Sequence, residues 1–421
     1  MVKRVLFIAE RRMAMAIERR KDNKNRVLKE GEYQRSNGTF EYKWRDKTGK
    51  RHSIYSRTLN ELREKEKSLL RDSLDGLRTE KKDITLNDLY ERWTQIKRGL
   101  KANTFQNYKY MYTQFVKPNF GNVHLTDLRK SDVRAFYNSL VDDKHIKANS
   151  IESIHTVLHQ VLELAVEDEY IRYNPSDNAL KELKKSHNDG EGKRSALTVK
   201  EQELFESFLV NDKRYNRWQP IFTVMLWTGM RVGETTGLCW EDVNFEDNTI
   251  SVNHTLVYFN RGGSEKCGYA INTPKTKAGE RTIPMLPVVR DALTQEKQYQ
   301  NEFDIKPTAT IDGYSDFVFV NRFGGVYNQG SLNKALKRII RDCNYDQLDK
   351  SPDAVLLPNF SNHSLRHTFT TRMCEAGVNI KVMQDILGHA DAETTLQIYT
   401  DATKEFKQSE MNSFKNFFEN L

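Results

Sequence analysis

Four short segments hold side chains whose types suit one chemistry. Thr228-Gly229-Met230-Arg231-Val232-Gly233-Glu234 sets an arginine and a glutamate three positions apart. The run from Thr273 to Pro284 offers Lys275 and Lys277; His363-Ser364-Leu365-Arg366-His367-Thr368 puts a histidine and an arginine one turn apart; and Leu387-Gly388-His389 precedes Tyr399 by ten residues. Singly, each has a bland reading. An Arg–Glu pair at helical spacing is a surface ion pair of little worth, lysines at a hairpin tip are solvated, and a lone tyrosine is packing. His363 and His367 lack the glutamate of an H-E-x-x-H zinc motif, and no cysteine pair lies near them, so no metal is read there.

Together, two arginines, a lysine, two histidines and a tyrosine suit phosphoryl transfer to a protein hydroxyl without a metal. Charge develops on the non-bridging oxygens of a phosphodiester under attack. Two planar guanidinium groups clamp it bidentately, which lysine does less well. A tyrosine with its usual pKa of about 10 is a weak nucleophile at neutral pH and needs a base or cationic surroundings. The leaving oxygen needs a proton, which a lysine on a closing hairpin can supply.

The elements that must position these groups are readable from periodicity. Alternating runs Gly31–Arg35, Phe40–Arg45 and Arg51–Tyr55, separated by turn sequences, predict a three-stranded sheet followed by a helix over Leu59–Leu77. Such a sheet can enter a major groove, with Tyr42, Trp44 and Arg45 as candidate contacts, although the two aromatics equally suit a helix-facing core. From residue 83 to about 180 the patterns are helical only, over Leu86–Lys97 (capped by Thr85), Thr104–Val116, Arg129–Leu140 and Ser150–Glu167. Lys181–Arg194 is polar and reads as a linker. Beyond Leu197, a buried helix at Ile221–Thr228 ends at Gly229, strands are expected at Thr249–Tyr258 and Arg281–Met285, and a helix over Ile380–Leu387, capped by Asn379, ends at Gly388. A further helix from about Glu393 would present Tyr399.

The fold class is therefore multi-domain. A small N-terminal α+β domain (three-stranded sheet plus helix) spans 1–80, an all-α domain 82–182, a linker 183–196, and a mainly α domain with a small antiparallel sheet 197–421. Residues 1–58 carry 17 Lys or Arg against 7 Asp or Glu, while the whole 421-residue chain is only +8. The excess is concentrated in the first domain, the footprint of a polyanion partner. Four scattered cysteines form no framework and point to a reducing, cytoplasmic setting. No apolar run reaches membrane-spanning length, and residues 1–20 lack the pattern of a secretory signal.

The boxes T-G-M-R-V-G-E, P-K-T-K-A-G-E-R, H-S-L-R-H-T and L-G-H with the tyrosine that follows, in this order and spacing, resemble the active-site boxes of the tyrosine recombinase (lambda-integrase-like) family. T-P-K-T-K-A-G-E-R-T-I-P-M, I-D-G-Y-S-D-F-V-F-V-N-R and the basic N-terminal sheet are most similar to integrases of Gram-positive conjugative transposons. The resemblance covers roughly residues 83–405; residues 1–20 match nothing in it. It implies that Arg231 and Arg366 bind the scissile phosphate, Glu234 orients Arg231, Lys275 is the general acid, His363 is the base for Tyr399, His389 holds a phosphate oxygen, and Tyr399 attacks. Assigning Lys275 rather than Lys277 rests on matching the K-T pair. It also implies an arm-type DNA-binding sheet and a helical core-binding domain, on which Lys101, Asn103 and Tyr108 are candidate contacts. Double-stranded DNA at core and arm sites, a homo-tetramer and an excisionase are the implied partners, no cofactor is needed, and the setting is the bacterial cytoplasm and nucleoid. The tail with Phe406, Met411, Phe414, Phe417 and Phe418 would pack on its own domain or on a neighbouring protomer. The alternative is a sequence-specific DNA-binding architectural or regulatory protein on this fold. A dimer resolvase is disfavoured by the extra basic sheet, and a type IB topoisomerase by separate arm and core regions.

Overall fold

The computed structural model describes residues 20–45, 49–74, 84–186, 196–262, 265–274, 277–389 and Met411. It divides into two compact units, one of Met1–Leu100 with Asn107–Asp189, the other of Lys101–Gln106 with Gly190–Leu421.

The first unit opens with an antiparallel sheet of β1 (Glu32–Gln34), β2 (Phe40–Arg45) and β3 (Arg51–Ser56), in the order β1-β2-β3. α1 (Leu59–Leu74) covers one face. Strand side chains alternate, so Phe40 and Tyr42, opposite Ser56 and Ile54, share a face. Phe40 and Ile54 pack there with Leu28, Leu59 and Leu62, and Tyr42 joins them. Trp44 lies on the same face, stacked between Tyr42 and His52. Of the three sheet residues named from sequence, only Arg45 is on the open face, beside Lys43 and Arg51. The open face has aromatics of its own, Tyr33 and Tyr55, crossed by Arg20, Lys43 and Arg35.

The chain that follows is helical: α2 (Leu86–Ile96), α3 (Ala102–Met111, of which the residues up to Gln106 belong to the second unit), a π-helical turn (Tyr112–Val116), α4 (Lys117–Phe120), α5 (Lys130–Asp142), α6 (Ala148–Glu167) and α7 (Lys181–Ser186). Thr85 caps α2 as expected, its hydroxyl accepting from the Asp88 N–H while Asp88 accepts from the Thr85 N–H. Leu86, Leu89 and Trp93 are thereby aimed inward. Two expectations needed correction. The helix predicted over Thr104–Val116 changes to a π turn at Tyr112, ahead of Pro118, which has no N–H to continue the ladder. The polar stretch read as linker begins with α7, because Lys, Glu and Leu are good helix formers and Leu183 is buried.

The second unit runs α8 (Val199–Asn211), α9 (Gln219–Thr228), α10 (Val232–Gly237), β4 (Val243–Asn244), β5 (Thr249–Val252), β6 (Thr255–Gly262), β7 (Glu265–Asn272), β8 (Arg281–Pro284), α11 (Pro287–Glu302), α12 (Gln329–Lys350), α13 (Asn362–Glu375) and α14 (Ile380–Leu387). β4-β5-β8 form one small antiparallel sheet and β6-β7 a separate hairpin. The single strand expected over Thr249–Tyr258 is broken at Asn253-His254. There His254 turns inward, its Nε2 lying 2.5 Å from the Gly237 carbonyl that ends α10. Cys239, Asp242 and His254 are the one group among the described residues whose donors lie close enough to hold a metal. Those donors are already engaged with each other's backbone, with Asn253 and with Gly237.

α9 is the central core helix, buried from Pro220 to Leu226. Phe222 meets Phe205 edge-on, and Phe205 in turn meets Phe360. A buried ion pair braces this core from outside. Arg217 forks both oxygens of Glu296 at 2.5 and 2.8 Å, and Gln300 donates to the same carboxylate. Removing one partner of such a pair strands a buried charge, which costs about 3–5 kcal/mol. Arg217→Ala should therefore lower unfolding stability by that amount in urea titration; a change under about 1 kcal/mol would show that the pair is not structural.

Candidate active site

Arg231 and His389 are each placed by a helix end. α9 stops at Gly229, where glycine is required twice over: the backbone is left-handed (φ 64°), and a Cβ there would collide with the Phe369 ring. The chain turns and starts α10 with Arg231 as its N-cap. The Glu234 carboxylate accepts from the Arg231 backbone N–H at 2.8 Å and from its Nη1 at 2.8 Å. The three-residue spacing thus closes an ion pair and caps the helix at once.

α13 brings Arg366 beneath this turn. Its side chain is almost fully buried; Nη1 donates to the Gly229 carbonyl and Nη2 to the Leu387 carbonyl, each at 2.7 Å. α14 ends at Gly388, again left-handed (φ 65°), so that the chain folds back and delivers His389. Arg366 Nη2 donates to His389 Nε2 at 2.8 Å. Burial, then the charges of Arg366 and Arg231, push His389 down to about 4, so the ring is neutral at pH 7. Because an arginine N–H can only donate, Nε2 is the accepting nitrogen and the ring proton sits on Nδ1.

One residue in the motifs had no role from sequence: Arg281, at the start of β8. Its Nη2 and Nη1 fork Glu234 at 2.7 and 3.2 Å, and Nε donates to the Ile386 carbonyl at 2.6 Å. It was legible only as the final arginine of P-K-T-K-A-G-E-R, where it looks like an ordinary strand residue. Three consecutive carbonyls at the end of α14 thus each take an arginine: Ile386 takes Arg281, Leu387 takes Arg366 and Gly388 takes Arg231, the last at 3.3 Å. Burial works to raise the Glu234 carboxyl, but Arg281 and then Arg231 prevail and hold it down to about 2. Burial and the neighbouring Arg231 bring Arg366 down to about 9, so it remains cationic at neutral pH.

Arg231 is the exposed member of the trio, its side chain 41% accessible. It lines an open groove with His363 and Lys334, walled by β6 residues and the first turn of α12. His363 stands at the start of α13, its ring edge-on to His367 at 5.0 Å. The structure therefore brings together Arg231, Glu234, Arg366 and His389, and puts His363 on the same groove as Arg231. Lys275 and Tyr399 lie outside the described residues, as does the aromatic tail except Met411; of Lys277 only the backbone is described. Lys101 donates to the Thr273 carbonyl, Asn103 lines the groove, and Tyr108 packs beside Trp93.

The phage integrase family model matches residues 196–405, a model described as the DNA-binding domain of Tn916 integrase matches 16–73, and one for a phage integrase N-terminal SAM-like domain matches 85–141. The chain is 31% identical over 407 residues to the transposase from transposon Tn1545 of Streptococcus agalactiae, covering 94% of this chain and 96% of that one. The figures are the same for the transposase from transposon Tn916 of Enterococcus faecalis. Among solved structures it is similar to the Tn1549 transposon integrase in complex with transposon right-end DNA, at 27% identity and TM-score 0.68, over 78% of this chain and 99% of that one. A lambda integrase tetramer bound to a Holliday junction shares the fold, at 19% identity and TM-score 0.51, over 89% and 95% of the two chains.

The depressed Glu234 carboxyl predicts a pH signature. Its folded value lies below the ordinary 4.5. Its contribution is therefore complete above about pH 4.5 and is lost as pH falls toward 2. Glu234→Gln should be less stable than wild type by roughly 3 kcal/mol at pH 7, and the two unfolding curves should converge near pH 2. Parallel curves across that range would mean the carboxylate is not what the arginines hold.

Proposed function

The chain belongs to the phage integrase family of tyrosine recombinases, and from that membership we propose that it excises and integrates a conjugative transposon through a covalent link at Tyr399. The observation that carries the reading is the convergence of Arg231 and Arg366, from separate segments, on the Leu387–Gly388 turn beside His389. Two guanidinium groups converging on one point suit the non-bridging oxygens of a phosphodiester.

In this reading Arg231 and Arg366 grip the non-bridging oxygens of the scissile phosphate, and His389 donates to one of them through a ring N–H. The Tyr399 oxygen forms a bond to phosphorus as the bond to the 5′ oxygen breaks. The phenolic proton passes to His363, and Lys275 gives a proton to the leaving 5′ oxygen. The product is a 3′-phosphotyrosine and a free 5′ hydroxyl. One phosphoester has replaced another, so the bond energy is kept for rejoining and no nucleotide cofactor is consumed. Each chain supplies one nucleophile and two duplexes present four strands, so complete exchange through a Holliday junction calls for four protomers.

The Tn1549 integrase was captured on transposon right-end DNA and on circular-intermediate DNA; by similarity, the ends of the mobile element are the core substrates here. The open face of the N-terminal sheet, with Arg45, Lys43, Tyr33 and Tyr55, suits arm-type sites, since the cations pair with phosphates and the side chains between them can reach base edges in a groove. An excisionase partner and a place in the bacterial cytoplasm, on the nucleoid, complete the proposal. Among the described residues, no helix is long and apolar enough to cross a membrane.

Incubation with DNA spanning the joined element ends, followed by denaturing electrophoresis, should give a covalent protein–DNA adduct with wild type and none with Tyr399→Phe, while both bind. Tight binding without adduct from wild type, even on nicked suicide DNA, would instead favour the architectural DNA-binding reading.

The lysine assignment has its own test. Replacing the bridging 5′ oxygen by sulfur gives a leaving group that needs no proton. Lys275→Ala should cut ordinary DNA at least about 10²-fold more slowly and regain most of that rate on the sulfur substrate. If Lys277→Ala shows this pattern and Lys275→Ala does not, Lys277 is the acid.

A further inference from the structure

We propose that Arg281 is a positioning residue for strand cleavage, a side chain that holds the phosphate-binding arginine, the Lys277–Gly279 turn and the His389 turn in one register. The proposal rests on the recombinase reading above and deepens it. Arg281 lies at the start of β8, directly after the loop that carries Lys275 and Lys277. Its Nε donates to Ile386 at the end of α14, its two Nη groups fork Glu234 of α10, and Nη1 also reaches the Gly279 carbonyl within the loop itself at 3.5 Å. Its side chain is only 5% exposed, as is that of Glu234. These donors are spent inside the protein, so Arg281 does not touch the phosphate; it acts through Glu234 and through the turn.

Packing closes the arrangement. A Cβ on Gly388 would lie 3.0 Å from Arg281 Nη1 and 3.0 Å from the Ala278 carbonyl, so the turn that delivers His389 rests directly on the arginine and on the lysine loop. A displacement of any one of the three segments is therefore passed to the other two.

Charge gives a second reason for an arginine here. Arg231 is bonded to Glu234 and Arg366 lies within reach of its charge, so Glu234 alone would cancel one of the two. With Arg281 present, three guanidinium groups stand against one carboxylate and the excess is two positive charges. That matches the two negative charges of the pentacoordinate phosphorus formed when a tyrosinate attacks a phosphodiester. Arg281 leaves Arg231 oriented by Glu234 without leaving it neutralised. Lysine retains the charge but cannot fork the carboxylate and also reach Ile386.

The experiment uses the full chain on nicked suicide DNA spanning the joined element ends. Four readouts are taken: wild-type adduct formation, the maximal single-turnover adduct rate of each variant, the DNA dissociation constant, and the cooperativity of thermal unfolding. We expect Arg281→Met to melt cooperatively and bind DNA within about threefold of wild type, while its adduct rate falls on the order of 10²-fold, the range for loss of one preorganised electrostatic contact. Arg281→Lys should recover part of that rate. Since Arg281 acts through Glu234, the double variant with Glu234→Gln should be no slower than the slower single variant, because coupled residues are not additive. An Arg281→Met rate within threefold of wild type overturns the proposal, as does a loss confined to DNA affinity. If Arg281→Met loses its cooperative melt, Arg281→Lys decides: at least tenfold slower cleavage with wild-type binding upholds the role, and a wild-type rate overturns it. Absence of adduct from wild type itself is a different result, and it removes the recombinase reading on which the proposal stands.

Discussion

Three guanidinium groups gathered near one carboxylate, two of them bonded to it, are the constraint on which the second unit depends. Like charges this close repel by several kcal/mol in a partly desolvated setting. Left to themselves, Arg231, Arg281 and Arg366 would drive their segments apart. Two features hold them. Glu234 supplies the counter-charge, accepting from Arg231 and Arg281. The end of α14 supplies the rest, with three successive carbonyls that no longer have intrahelical partners and carry the negative end of the helix dipole. The arginines satisfy those carbonyls, and the carbonyls give the arginines fixed acceptors. The cationic cluster is thereby assembled by the protein's own groups alone.

The two glycines in left-handed conformation are consequences of the same arrangement. Gly388 must turn the chain sharply, because the carbonyls at 386–388 have to fan toward three different arginines while His389 is brought back to Arg366. Gly229 plays the matching part on α9: its carbonyl takes Arg366 Nη1, and the space a Cβ would fill belongs to Phe369. Alanine at either position would meet strain from backbone and neighbour together.

How much of this was legible in the sequence follows from which interactions are local. Arg231 with Glu234, His363 with Arg366, and Gly388 before His389 are bound by helical spacing, so their relation could be read directly. The capping of α2 by Thr85 and of α14 by Asn379 was visible for the same reason. Arg281 was not, because its partners lie 47 and 105 positions away, and nothing in a four-residue strand marks one arginine as buried. Asn253-His254 hid a strand break, since a period-2 pattern cannot register that one histidine turns in to meet a helix end. The N-terminal sheet shows a subtler limit. Alternation was clear, but which face α1 covers depends on Leu28, Leu59 and Leu62 meeting Phe40. That choice sends Tyr42 and Trp44 inward and leaves Tyr33 and Tyr55 outside. Period 2 gives two faces without naming either.

The two arginines proposed to bind the phosphate are not equivalent in their surroundings. Arg366 is buried, with short bonds to Gly229, Leu387 and His389, and any movement would leave those acceptors unpaired at a cost of about 1–3 kcal/mol each. Arg231 is far more exposed, and its contact to Gly388 is the longest of the set at 3.3 Å. Exchanging that long bond for one to a phosphate oxygen costs little and gains a charge-assisted contact. On the proposed reading, Arg366 would fix the position of the phosphate and Arg231 would adjust to it. Because Glu234 holds Arg231 by both its backbone N–H and its Nη1, that adjustment is confined to the outer half of the guanidinium, the half that faces the groove.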